Sequence, residues 1–362
     1  MRKLRTSSVL ITRLYFSTLT LVSMAQSPAS PYTPLAPRRV LLITSIRACV
    51  ADEFQQVNEL IIQQLKSDVA MVENVGHYIV DAGGKRLRPL LALLAASAQG
   101  GVDLSDVKFA AVVEFIHTAT LLHDDVVDLS SLRRGRATAN AEFGNAPSVL
   151  VGDFIYTRAF QLMVNLGDLS LLQSMADTTN TIAAGEVLQL MRAGDPSVTE
   201  TQYLDVIDRK TAALFAAACR GSAILKGRDP SQQDQMAAYG RHLGIAFQMI
   251  DDVLDYTGDP QVTGKQVGDD LNEGKPTLPL IHTMASGSAD DAAIVRDALS
   301  QKNSENLTGV IAAVHRSGGI DYTREQAVLH QQSALAALDG LAQSAALEAL
   351  HGLADMAINR ER

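Results

Sequence analysis

The sequence predicts an all-α fold, built as one large helical bundle. Three observations carry this. Apolar residues recur at helical spacing along most of the chain. Prolines are scarce after the first tenth, with seven left for the last 325 positions, so long unbroken helices are allowed. Alternating strand-like runs joined by Asn-Gly or Asp-Gly turns are missing. An aromatic content of 5% without tryptophan also argues against a sheet-rich fold with aromatic repeats.

In chain order, residues 1–50 read as a non-domain extension. They hold seven basic residues and no acid up to Ala51, and four of the eleven prolines fall between Pro28 and Pro37. The apolar stretch Val9–Val22, interrupted by Arg13, is too short to span a bilayer. It fits a signal peptide, an organellar transit peptide, or a start site set upstream of the true one near Met24. Residues 51–362 are expected to form the domain. Val57, Leu60, Ile61 and Leu65 give the first apolar stripe, and Phe109, Val112, Val113, Ile116 and Thr120 the next. Tyr203, Val206 and Ile207 lead into the Ala-rich run Thr211–Ala218, which Lys210-Thr211 opens. Leucines from Leu335 to Leu353 continue the pattern near the end. Breakers separate these stripes at Gly83-Gly84, Gly100-Gly101, Gly194-Asp195-Pro196, Arg228-Asp229-Pro230, Gly258-Asp259-Pro260 and Gly318-Gly319.

Charge narrows the function classes. The net charge is −9, and from Asp52 onward 24 basic residues stand against 40 acidic ones. An acidic body argues against nucleic-acid binding, which needs a net basic face. Two cysteines, Cys49 and Cys219, make neither a disulfide framework nor a cysteine zinc site, and read as thiols of a reducing compartment.

One motif occurs twice: Asp124-Asp125-Val126-Val127-Asp128 and Asp251-Asp252-Val253-Leu254-Asp255. On a helix, Asp124 shares a face with Asp128, and Asp251 with Asp255. Like charges at that spacing destabilise a helix unless a cation lies between them. Paired hard oxygens within apolar sequence suit Mg²⁺ that keeps waters and bridges to phosphate oxygens. The glycine and terminal glutamate of an EF-hand loop are missing. Basic clusters supply a counterpart. Lys85, Arg86 and Arg88 follow Gly83-Gly84, Arg133-Arg134-Gly135-Arg136 follows the first aspartate motif, and Lys265 and Lys275 flank Gly268-Asp269-Asp270. Guanidinium forks and ammonium groups are natural partners of phosphate oxygens, so two diphosphate pockets are expected. Neither a Walker A loop nor a strand–GxGxxG–helix unit is present.

Residues 83–89, 117–136, 210–211, 248–255 and 265–279 resemble the trans-type polyprenyl diphosphate synthases, in stretches as long as Glu114–Asp125 and Gly268–Pro279. The likeness runs from about residue 55 to the C-terminus. It implies mainly antiparallel helices around a deep central cavity (the isoprenoid synthase type), a homodimer, and two to three Mg²⁺ ions per site. Carried over, Lys85, Arg88, His117 and Arg134 match the isopentenyl diphosphate site. Arg133, Lys210, Thr211, Gln248 and Lys265 match positions that handle the allylic diphosphate, and Lys275 is a further candidate for substrate binding. Asp124, Asp128 and Asp251 match the principal metal ligands, supported by Asp125, Asp252 and Asp255, with Lys210 also expected in the catalytic set. Many relatives have proline where this chain has Ala137, a difference of loop stiffness. Ala119 and Thr120 precede the first motif by one turn, where aromatic side chains stop chain growth in the family. Their small size implies a long product of about eight isoprene units for a quinone side chain, with Met163 a candidate for a deeper floor. A cytoplasmic enzyme is expected, and so apolar a product implies transient membrane contact at its release. The competing readings are a terpene cyclase of the same architecture and a noncatalytic partner subunit. A cyclase needs no second diphosphate site, and a partner subunit is expected to have lost one aspartate cluster.

Overall fold

Capping residues write the helix starts into the chain. The computed structural model describes residues 43–258 and 268–360, all within one compact unit. Helices α1 (Ile43–Ala48), α2 (Ala51–Gln64), α3 (Ala70–Asp81) and α4 (Leu87–Ala98) lead to α5 (Leu104–Val127). At its start Asp103 accepts the Asp106 amide at 3.3 Å while Asp106 accepts the Asp103 amide at 2.8 Å, a reciprocal capping box. A short antiparallel ribbon follows, β1 (Leu132–Arg133) with β2 (Arg136–Ala137). Its turn residues Arg134 and Gly135 both have positive φ, the geometry of a tight two-residue hairpin. This ribbon is a local departure from the purely helical expectation.

Helices α6 (Ala139–Phe143), α7 (Asn145–Leu166), α8 (Leu169–Arg192) and α9 (Glu200–Ile207) come next. A single π-helical turn, Asp208–Ala212, then joins α9 to α10 (Ala213–Leu225). Lys210 and Thr211 lie in this turn rather than opening a regular helix. Two neighbours let it bulge. A Cβ on Gly185 of α8 would stand 2.9 Å from the Lys210 nitrogen. One on Gly244 would stand 2.7 Å from the Ala212 Cα.

Gly244 belongs to α11 (Pro230–Thr257), which starts with Pro230 inside an Asp229/Gln232 capping box and ends at Gly258. At 1.5 Å per residue, its 28 residues span roughly 42 Å. The remainder comprises α12 (Asp269–Asn272), α13 (Leu278–Ser286), α14 (Ala289–Gln301), α15 (Leu307–Arg316), α16 (Gly319–Ala336) and α17 (Ala345–Ile358). The leucine stripe expected through Leu353 is therefore two helices, parted by residues 337–344. Asp259, Pro260 and the lysine at 265 lie outside the described residues.

Helix α5 packs on α7, α10 on α11, and α11 on α16. Two apolar cores result. One gathers α2, α4, α5, α7 and α10, and the other the far half of α11 with α13 to α16. The packed body begins earlier than the boundary expected at residue 51. Ile46 and Val50 are buried in the first core because α1 lies against α17.

Candidate active site

Helix ends deliver the site. Asp124, Asp125 and Asp128 fall on the last turn of α5, where the Asp128 amide donates to the Asp124 carbonyl at 2.8 Å. Asp251, Asp252 and Asp255 fall near the end of α11. The segment from Gly268 to Lys275 ties the two together. The Asp270 amide donates to Asp255 Oδ2 at 3.3 Å, and Lys275 Nζ lies 3.1 Å from Asp128 Oδ2. Between the end of α5, α8 and this segment lies a cleft of about 670 Å³, lined in part by Asp128, Glu186, Gln189, Asp269, Glu273 and Lys275.

Each aspartate has a distinct setting. Burial and neighbouring Asp128 push the Asp124 carboxyl above the usual carboxylate range, against the pull of Lys210. Lys210 Nζ stands 3.7 Å from Asp124 and 2.6 Å from Glu186. Asp251 accepts from Arg360 at 3.0 Å, and that guanidinium lies 3.7 Å over the Phe247 ring. Asp125 and Asp252 face other partners than the expected metal. The buried Asp125 carboxylate receives two nitrogens of Arg133 at 2.7–3.1 Å. Arg133 thereby braces the end of α5. Asp252, 2% exposed, accepts the Tyr203 hydroxyl at 2.6 Å and the Gln248 amide at 2.9 Å. Burial and Asp270 push its carboxyl up to about 8. Thr211 donates to the same Gln248 at 3.0 Å, so the π-helical turn and the second cluster share one network.

Among the described residues, no three carboxylates, histidines or cysteines form a ready-made metal cage. The donor set still fits Mg²⁺, which binds through one or two carboxylates plus water and phosphate oxygens rather than in an all-protein cage. The crowding of Asp124 by Asp128 is the strain that a divalent cation would relieve.

The basic group gathers beside the second cluster. Arg88, on the first turn of α4, donates to His117 Nε2 at 3.1 Å and lies 4.6 Å over the Phe215 ring. Arginine only donates, so this ring nitrogen is an acceptor and the imidazole is neutral. Burial and then Arg88 lower the His117 pKa, in keeping with that state. Burial also brings Arg88 down to about 10, opposed by Glu114 and Asp251, which leaves it a cation at neutral pH. Arg134 reaches across to the Gly83 carbonyl, closing the turn that carries Lys85. Arg136 instead lies 4.0 Å over Tyr78, away from this group.

Sequence reasoning missed Glu186, Glu273 and Arg360. A signal existed for the first. Leu171, Met175, Thr179, Ile182 and Gly185 form the buried stripe of α8, and Glu186 lies one turn beyond Ile182 on the same side. Arg360 carries no such signal, since 109 positions separate it from Asp251.

Comparison with known proteins completes the picture. Residues 69–315 match the polyprenyl synthetase family model. The chain is 52% identical to the octaprenyl diphosphate synthase of Escherichia coli (strain K12), over 88% of this chain and 99% of that one. It is 45% identical to the all-trans-nonaprenyl-diphosphate synthase (geranyl-diphosphate specific) of Rhodobacter capsulatus, covering 87% and 97%. The crystal structure of a polyprenyl synthase from Caulobacter crescentus CB15, complexed with calcium and isoprenyl diphosphate, superposes with a TM-score of 0.86. That protein is 41% identical, over 90% of this chain and all of the other. With aspartate clusters on two helix ends and a buried basic group beside them, this chain belongs to the polyprenyl synthetase family.

Proposed function

We propose that the chain is a prenyltransferase making a long all-trans polyprenyl diphosphate of about eight isoprene units, by repeated head-to-tail addition of isopentenyl diphosphate to an allylic diphosphate such as farnesyl diphosphate. The observation that carries this reading is the pairing of two helix-end aspartate clusters, joined through residues 268–275, with the separate Arg88–His117 group. Both clusters are intact, which disfavours a noncatalytic subunit. A second basic pocket disfavours a cyclase.

In this reading Arg88, Lys85, Arg134 and neutral His117 hold isopentenyl diphosphate. Lys210, Lys275, Thr211 and Gln248 surround the allylic diphosphate, with Arg133 acting through Asp125, and the family resemblance adds Lys265 to the same role. Asp124, Asp128 and Asp251 hold Mg²⁺, with Asp125, Asp252 and Asp255 orienting the cluster. When bound, the metal neutralises the allylic diphosphate and makes it a leaving group. The chain's own task is to fix the two substrates head to tail and keep water from the allylic cation. The double bond of isopentenyl diphosphate attacks that cation, and the departing diphosphate takes the proton then lost.

The cellular setting belongs to the same proposal. Among the described residues no helix is long and apolar enough to cross a membrane. A cytoplasmic enzyme that contacts membranes at product release accords with that. Exposed apolar side chains on α7 and α8, including Leu150, Val164 and Met191, accord with a homodimer.

The test is product analysis. The full chain is incubated with farnesyl diphosphate, labelled isopentenyl diphosphate and Mg²⁺, and the dephosphorylated products are sized by chromatography. A product in the C40 range is expected. A product of C20 or less would refute the long-chain reading, and no incorporation by folded protein would refute the synthase itself.

A further inference from the structure

Two glutamates outside the aspartate motifs stand in the same relation to the first cluster. Lys210 Nζ is 2.6 Å from Glu186 Oε2 and 3.7 Å from Asp124 Oδ2. Lys275 ion-pairs with Glu273 and lies 3.1 Å from Asp128 Oδ2. In each case an ammonium is divided between an aspartate of the motif and a glutamate, and it lies nearer the glutamate. Asp128 at the end of α5, Glu186 in the second half of α8, and Glu273 and Lys275 after α12 reach the cleft from separate parts of the fold, and Lys210 meets Glu186 from the π-helical turn. Both glutamates line the cleft.

The arrangement matters because an ammonium and a divalent cation compete for the same carboxylate lone pairs. A lysine resting squarely on Asp124 or Asp128 has to be displaced before metal binds. Resting on the reading that these aspartates hold the metal, we infer that Glu186 and Glu273 are positioning residues that compete with the first cluster for its ammonium groups, Glu186 holding Lys210 beyond hydrogen-bond distance of Asp124 and Glu273 sharing Lys275 with Asp128, so that a divalent cation can take the aspartates. The lysines stay at the cleft, within reach of the diphosphate that arrives with the metal.

The test reads metal binding rather than turnover. Mn²⁺ is titrated into the full chain in the presence of inorganic diphosphate, and free Mn²⁺ is followed by electron paramagnetic resonance. Glu186→Gln keeps the side-chain shape but gives up the hold on Lys210, and is expected to weaken Mn²⁺ binding about tenfold. In a Lys210→Gln background the same change is expected to alter affinity less than twofold, since no ammonium remains to be held. Such a cycle separates the paired effect from the effect of charge alone. Glu273→Gln with Lys275→Gln gives an independent second cycle, and Glu186→Asp should restore part of the loss. Unchanged affinity in folded Glu186→Gln would overturn the inference. So would a tenfold loss that persists without Lys210, because the glutamate would then act only through its field. If the unaltered chain binds no Mn²⁺ with diphosphate, the metal assignment fails first and takes this inference with it.

Discussion

Asp124 shows how much of the chemistry rests on single side chains. Burial and neighbouring Asp128 raise its carboxyl above the usual range, and Lys210 approaches it at 3.7 Å. Asp124→Ala is expected to lower kcat by roughly 10²–10³, as loss of one preorganised electrostatic group does elsewhere. Steady-state assays at saturating Mg²⁺ check this, and near-normal turnover would remove Asp124 from the metal site. A second residue-scale effect lies away from the chemistry. His242 and His330 share a hydrogen bond between Nδ1 atoms at 2.9 Å. Burial, then His242, lowers His330 from 6.5 to about 4. The unfolded chain therefore takes up this proton near pH 6.5, whereas the folded chain does so only near 4. Between those values the unfolded state binds more protons, so stability falls as pH falls through the window. Thermal melts from pH 7 to 4 should show the decline, and His330→Gln should make it shallower.

At the scale of elements, the π-helical turn Asp208–Ala212 is the feature to perturb. Gly185→Ala would bring a Cβ to 2.8 Å from that of Arg209, and the bulge carrying Lys210 has to move. A stability loss of about 1–3 kcal/mol is expected from overpacking, with a fall in kcat. Melting and turnover measured on one preparation separate the two effects. On α5, Ala119 is buried in the first core together with Met163 of α7. Ala119→Phe is expected to shorten the product while leaving condensation intact, and chromatography of the products decides it. Much of this was legible beforehand. The glycine pairs at 83–84, 100–101 and 318–319 fall at helix boundaries, and both aspartate motifs fall on helix ends. The π-helical turn was not legible, because its local sequence suits a regular helix and the extra residue is accommodated by packing against Gly185 and Gly244. The ribbon 132–137 escaped notice because Arg134-Gly135 is not a customary hairpin turn. Asp125 and Asp252 read as metal ligands because sequence spacing shows which face a carboxylate occupies, but not that Arg133 or Tyr203 reaches it first.

Across the whole molecule, α11 links the two cores, packing on α10 at one end and carrying the second aspartate cluster at the other. The outward side of α7 and α8 is different in kind, with Leu150 66% and Met191 76% exposed. If a second copy covers this face, Leu150→Glu with Val164→Glu should convert a dimer to a monomer. Sedimentation velocity distinguishes the two, and an unchanged dimer would move the interface elsewhere. The cleft has a final consequence for how ligands arrive. Around the cleft and beside it, the carboxylates of Asp124, Asp128, Glu186, Asp269 and Glu273 are set against the ammonium groups of Lys210, Lys275 and Lys302. A bare diphosphate meets a net repulsive potential there, whereas one already complexed with a divalent cation does not. The opening thus acts as an electrostatic filter on ligand speciation, and moderate salt eases the entry of the bare anion by shortening the range of the repulsion to roughly 10 Å at 0.1 M.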